Sequence, residues 1–394
     1  MTANVAGYLL QLLASRWLGV AGYSPFASLL AVQMLCAVPA LALQNVVARE
    51  VVRGASVAAA RELALRCAGI VALIAVPLVP IVSVSLKVNW VAAAAALCTV
   101  PVLVLLSGEQ GILQGASRFR DLAIVLGGAS VIRTTPALIV LASGGGIGPT
   151  LWAAMAGALV AALLARRVVD SGVDAAAGRA VDSAAGMAAV LPVFRAAQVQ
   201  AALMALSSAD LLISRMVLSD EDAGRYALGA IAAKIAFWLP QAVGVVLYPK
   251  MAQPQHSARA VRSALTVLTA VGAVAVLGAA LAAPLAPLFA GQDYAPVQGL
   301  LWLFALQGAL LAVLQGALLS AIAADRTASA AITWLGLAVG VVVMRTCAHS
   351  VTSLIAIAAG TAALTTLVIT VLALRTVREP AAEAGVPGAS AGSA

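Results

Sequence analysis

Apolar runs of roughly 18 or more residues succeed one another along this chain with only short polar breaks, and that is the length a helix needs to cross the hydrocarbon core of a bilayer. Composition points the same way. Hydrophobic residues make up 63% of the sequence and charged residues 10%, against roughly 25% charged in an ordinary soluble domain, so no water-soluble surface can be made from it. The 394 residues therefore convert into helices rather than soluble domains. The expected fold class is an all-α, multi-pass integral membrane protein.

A formal charge of +8 raises the question of nucleic acid, which demands basic residues clustered with stacking aromatics. Aromatics are only 4% here and the basic residues sit in inter-helix loops, so no nucleic-acid partner is expected. Cys36, Cys67, Cys98 and Cys347 lie in or beside apolar spans without the spacing of a disulfide framework or a metal site, and they read as small hydrophobic residues. Residues 1–4 carry no basic leader segment and no convincing cleavage site follows, so the first run is expected to be a retained helix.

Hydropathy and its breaks place about twelve spans. The first six lie near 3–20, 24–48, 63–86, 90–114, 121–143 and 149–169, and the second six near 188–217, 224–249, 263–290, 297–323, 328–347 and 351–374. The longest internal hydrophilic break, 170–186 with Asp174, Arg179 and Asp182, separates the sets. It predicts an N-terminal six-helix lobe with linker (1–187), a C-terminal six-helix lobe (188–378) and a disordered cytoplasmic tail (379–394) with too little apolar content to fold. Lys and Arg are strongly one-sided. Loops after even-numbered spans and the tail hold about 15, among them Arg49, Arg61, Arg118, Arg166 and Arg262, against four on the other side, Arg16, Lys87, Arg215 and Arg225, so both termini should face the cytoplasm.

The chain echoes itself at half its length. Ser15-Arg-Trp-Leu-Gly-Val-Ala-Gly-Tyr23 returns as Ser214-Arg-Met-Val-Leu followed by Ala223-Gly-Arg-Tyr226, Pro39 returns as Pro240, and Gln110-Gly111 returns as Gln315-Gly316. Offsets of about 200 residues with six spans per copy imply parallel repeats related by an axis along the membrane normal. Arg16, Leu18, Gly19, Gly22 and Tyr23 resemble the junction between the first two helices of bacterial polysaccharide flippases in the MATE-like superfamily of multidrug, oligosaccharidyl-lipid and polysaccharide exporters. Asp210, Leu211, Ile213, Gly224 and Tyr226 resemble that family's matching junction between the seventh and eighth helices, and Pro249 and Gln114-Gly115-Ala-Ser-Arg118 also look like it. The resemblance covers nearly the whole chain, although this chain enters its first helix without the basic segment usual in the family.

Ionisable groups inside a span are expensive unless they face protein, water or a partner, which makes each a candidate site. Lys234 lies about ten residues into its expected helix, about 15 Å deep at 1.5 Å per residue, and shares a helical face with Trp238 and Gln241. In the counterpart helix Gln33 and Gln44 share a face. The seventh helix carries Arg195, Gln198 and Asp210 in one broad stripe, with snorkelling of Arg195 and local pairing of Asp210 with Arg215 as the bland alternative. Arg133, in the middle of the fifth helix, and Glu109, in the fourth, could neutralise each other or a neighbouring helix. Gly127-Gly128 and Gly144-Gly145-Gly146 favour close helix approach.

The resemblance implies a flippase or exporter of a lipid-linked oligosaccharide or polysaccharide precursor, working in the cell membrane by rocking of the two lobes. Its central-cavity residues would be Lys234, Arg195, Arg133 and Arg16, holding an anionic diphosphate-glycan head, with Asp210, Gln33, Gln198 and Gln241 beside them. Membrane lipid and glycan polymerases or glycosyltransferases would be its partners. The alternative is a MATE-type cation-coupled multidrug antiporter, which would rely on buried carboxylates, here only Glu109 and Asp210. A major-facilitator signature is missing from Arg49-Glu-Val-Val-Arg-Gly54. A membrane glycan polymerase or ligase would need acid/base or metal-holding groups in a sizeable external loop, and His256 and His349 are isolated. No catalytic residue, metal or cofactor is expected.

Overall fold

A computed structural model describes residues 2–171, 190–239, 257–285, 288, 291–323 and 328–376. These contain helices and no strand. The first half comprises α1 (Thr2–Cys36), α2 (Val38–Val52), α3 (Val57–Ser85), α4 (Trp90–Gly115), α5 (Phe119–Ala142) and α6 (Ile147–Asp170). The second comprises α7 (Val190–Leu206), α8 (Ala209–Val217), α9 (Asp220–Trp238), α10 (Ser257–Ala282), the short α11 (Ala295–Gln298), α12 (Leu301–Ala323), α13 (Ala328–Cys347) and α14 (Val351–Thr376). Eight candidate membrane spans meet the criteria of length and apolarity among the described residues. The expected linker, the tail, Pro240, Gln241, Pro249 and His256 lie outside the described residues.

The breaks have local causes. Gly19 bends α1 with φ 65° and ψ 178°, in the left-handed half of backbone space where a side chain would clash, so only glycine takes this turn without strain. Its counterpart in the repeat, Leu218, ends α8 in an ordinary extended conformation at φ −101°. Pro39 sits in the first turn of α2, where its missing N–H costs nothing, but its ring obstructs the preceding turn and separates α2 from α1 at Ala37. Ser56, Asn89 and Ser219 cap α3, α4 and α9 by accepting from Ala59, Val91 and Asp222 N–H. Asp220, Glu221 and Asp222 in the first turn of α9 suit the positive end of the helix dipole.

Close helix crossings set the packing. At Gly111 and Gly115 of α4 an added Cβ would lie 2.6 Å and 2.5 Å from the Gln44 and Ala48 carbonyl oxygens of α2. At Gly308 of α12 it would lie 1.9 Å from the Ala233 carbonyl oxygen of α9. The glycines singled out in the sequence serve otherwise: Gly144 turns the chain between α5 and α6 at φ 80°, and nothing stands within 4 Å of Gly128. The buried apolar residues form two clusters, each drawing on both halves. One lies towards the arginine-rich ends of the helices, around Leu43, Leu113 and Leu314, and the other towards the opposite ends, around Tyr23, Tyr226 and Phe304. Leu73, Val76, Val84 and Leu281 are more than two-thirds exposed, as side chains facing lipid would be.

Candidate transport site

The repeat junctions meet. Gly224, in the second copy of the junction motif, lies against Val20 in the first, where an added Cβ would stand 2.1 Å from the Val20 carbonyl oxygen. Below this contact the Tyr8 hydroxyl donates to the Lys234 carbonyl at 3.2 Å. The halves are thus joined through α1 and α9 at two depths.

A second tie lies beside it. Arg215, 4% exposed at the end of α8, donates from Nη2 to the Leu86 carbonyl at 3.0 Å and the Lys87 carbonyl at 3.4 Å, and from Nε to Leu86 at 3.3 Å. Its Nη1 is 2.6 Å from Asp220 Oδ1. One guanidinium therefore caps the carbonyl end of α3 in the first half while held by a carboxylate of the second. The bland pairing of Asp210 with Arg215 is replaced by this arrangement. Arg16, the counterpart of Arg215 in the repeat, is exposed.

Asp210 instead faces its own half. It is 3% exposed, and its Oδ2 accepts from the Tyr226 hydroxyl at 2.7 Å and from Gln307 Nε2 at 3.0 Å. Asp210 Oδ1 and Gln307 Oε1 are buried without a hydrogen-bond partner among the described residues. Lys234 is the opposite charge acting on Asp210. Tyr226 stacks edge-on against Phe304, centroids 4.9 Å apart, so the phenol that orients Asp210 is itself fixed by packing. Gln307 was not identifiable from sequence, because a glutamine in a span signals polarity but not which of its neighbours carries the charge. Because α9 begins at Asp220, Lys234 is about 21 Å from the helix start at 1.5 Å per residue, deeper than the sequence boundary suggested.

The remaining candidates are scattered. Gln33 is buried in α1 and Gln198 exposed in α7. Arg195 falls within α7, with its side chain outside the described residues, as is all of Gln241. Gln44 bonds Gln114 at 3.0 Å inside the first half. Glu109 takes a two-pronged contact from Arg61, at 2.8 Å and 3.0 Å, and Arg61 also reaches Asp170 at 2.7 Å. Of the two pairings open to Glu109, Arg133 or a neighbouring helix, the second is formed: Arg61, near the start of α3, offers a planar fork matched to the carboxylate. Arg133 is left half-buried, 14 residues from the start of α5 and nine from its end, with no ion pair or hydrogen bond recorded to any described residue.

Between the halves, a cavity of about 420 Å³ opens among Cys36, Pro39, Ile74, Val100, Ala201 and Trp334, with Gln198 as its polar side chain. It is an apolar recess rather than a polar one. Among the described residues no group of three or more His, Cys, Asp or Glu side chains could hold a metal ion.

No protein-family model matches the sequence, and no curated protein is significantly similar to it in sequence. Its fold has clear counterparts. An inward-facing multidrug resistance MATE family transporter of the MOP superfamily superposes with a TM-score of 0.68 at 13% identity, over 98% of this chain and 96% of its own. The lipid II flippase MurJ, in an inward closed conformation, gives 0.69 at 13% identity, over 98% and 92%. An outward-facing MATE transporter of the same superfamily gives 0.56 at 12% identity, over 98% and 94%.

Proposed function

We propose, from the fold this chain shares with MATE transporters and the lipid II flippase, that it is an alternating-access transporter that flips a lipid-linked oligosaccharide or polysaccharide precursor across the cell membrane. Twelve spans are formed if α1 counts as two spans divided at Gly19, with α2 completing the second and α7 and α8 together forming one. Both termini then lie on the arginine-rich, cytoplasmic side. The lobes are 1–187 and 188–378. Glycosyltransferases and a glycan polymerase are the protein partners such a substrate requires, and the chain itself performs no bond chemistry.

The observation that carries the substrate class is Arg133. A guanidinium is always charged, and at about 14 Å from the nearer end of its helix it cannot easily reach either surface. With no anion of its own it needs water or an anionic ligand, and a diphosphate-glycan head passing α1 and α5 supplies one. Lys234 differs, because Asp210 answers its charge within the second lobe. Arg16 and Arg195 would extend the cationic lining, with Gln33, Gln198 and Gln241 hydrogen-bonding the glycan. The contacts of Arg215 and Gly224 hold the external ends together, which fits the higher score against the inward-facing MATE structure.

The alternative, a cation-coupled multidrug antiporter, is favoured by one observation, the unpartnered Oδ1 of Asp210 in a buried site. Proteoliposomes separate the two. Wild-type protein should flip a fluorescent lipid-linked oligosaccharide and leave ethidium where it was loaded. Arg133→Ala should reduce flipping at least tenfold at equal folded protein, while Arg133→Lys keeps a measurable part. Ethidium efflux without flipping, or full flipping by Arg133→Ala, would overturn the proposal.

A further inference from the structure

On the outer wall of the first half, α5 and α6 leave a cavity of about 370 Å³ between them, remote from the junction of the halves. Its walls include Ile124, Val125, Gly128, Ala129, Leu164 and Ala165. The small side chains of Gly128 and Ala129 make the depression, and the stretch from Ile124 to Ile132 runs about 12 Å along α5. Ile124 and Leu163 beside it are more than half exposed, so this wall faces lipid.

The arginine-rich end of the groove is not apolar. Arg167 and Ser171 line it, and Arg120 stands one turn beyond Ile124 on α5. The basic residues around it divide into two kinds. Arg118 is engaged: it donates to the Val168 and Val169 carbonyls at 2.9 Å and 3.2 Å and bonds Asp121 at 2.7 Å, which neutralises the one carboxylate at this end of α5. Arg61 is engaged with Glu109 and Asp170. Arg120 and Arg167 are exposed, and no ion pair or hydrogen bond to a described residue involves either side chain.

An apolar trough that ends at Arg167, with Arg120 one turn beyond its Ile124 end on α5, fits a ligand with a hydrocarbon chain and an anionic head. Basic recesses between transmembrane helices on the arginine-rich side are a recurring form of lipid site. We infer that the α5–α6 groove binds an anionic phospholipid, one acyl chain lying against Gly128 and Ala129 and its phosphate between Arg120 and Arg167. A soluble anion would gain nothing from the trough, and a zwitterionic lipid would bring its own cation to the arginines.

Detergent-purified full-length protein titrated with dioleoyl phosphatidylglycerol and followed by native mass spectrometry provides the test, with dioleoyl phosphatidylcholine and glycerol 3-phosphate as the other arms. Phosphatidylglycerol should be retained at least tenfold more tightly than either. Arg120→Gln and Arg167→Gln should each weaken it about fivefold, with Lys at either position retaining most of the affinity. Ala129→Trp should weaken it by filling the trough, and Arg166→Gln, at a position that does not line the groove, should leave it unchanged. The arginine variants lie on the surface and keep the test decisive if the tryptophan variant does not fold. Equal retention of the two lipids, equal binding of glycerol phosphate, or phosphatidylglycerol binding indifferent to both arginines would overturn the assignment.

Discussion

A charge buried halfway through a bilayer is tolerated according to what stands beside it, and Lys234 and Arg133 occupy opposite ends of that range. Lys234 lies near Asp210, itself held by Tyr226 and Gln307. The two charges are coupled through space without a direct ion pair, and removing the lysine leaves the buried carboxylate without that opposing charge. Lys234→Ala is therefore expected to destabilise the protein in thermal unfolding in detergent. Adding Asp210→Asn should recover part of the loss, a coupling of about 1 kcal/mol or more. Strictly additive losses would contradict the coupling. The sequence disclosed both charges, with Lys234 shallower than the structure places it, but not their surroundings, because the groups around Lys234 lie on α8, α9 and α12 and meet only through packing. The partner of Glu109 on the neighbouring helix was hidden for the same reason: Arg61 is 48 residues away in the chain, and helical spacing relates only residues on one helix.

At the scale of helices, close approach decides which segments cross. The crossing of α12 over α9 leaves no room at Gly308, where a methyl group would enter the Ala233 carbonyl oxygen, whereas Gly278 has nothing within 4 Å. Gly308→Ala should lower the melting temperature of the purified protein by several degrees, and Gly278→Ala should leave it within about a degree, since exposed helical glycine gains from a methyl group. Equal effects would show that the crossing is not tight. Element boundaries were legible in part: the break near Gly19 falls between the first two expected spans, whereas the break at Ala37 falls inside the second and α3 begins at Val57, capped by Ser56, ahead of the expected 63. The interruption between α7 and α8 was not, because Ser207 and Ser208 are compatible with a continuous helix. Nor was it legible which glycines make crossings, because composition does not say which face a helix offers.

At the scale of the whole chain, the repeat is a sequence feature with a spatial consequence: its two junction motifs touch, Gly224 on Val20, and Arg215 ties the second half to the end of α3. The counterpart of Arg215, Arg16, is exposed, so the tie exists on one side of the repeat only. If the halves rock, this tie opens in every cycle. Arg215→Ala should shift the resting population towards the outward-open form, seen as faster labelling of a cysteine at Gln33 by an external polar thiol reagent, and slower labelling after Arg215→Ala would contradict the latch. The central claim, that transport requires the external ends of the halves to separate, is tested most directly by joining them. Cysteines at Lys87 and Asp220, the residues Arg215 bridges, placed in a protein without its four native cysteines, would be joined by a short cleavable bifunctional reagent in proteoliposomes. Flipping of the lipid-linked oligosaccharide should cease in proportion to the fraction joined and return when the linker is cleaved. Undiminished flipping by fully joined protein would contradict the account.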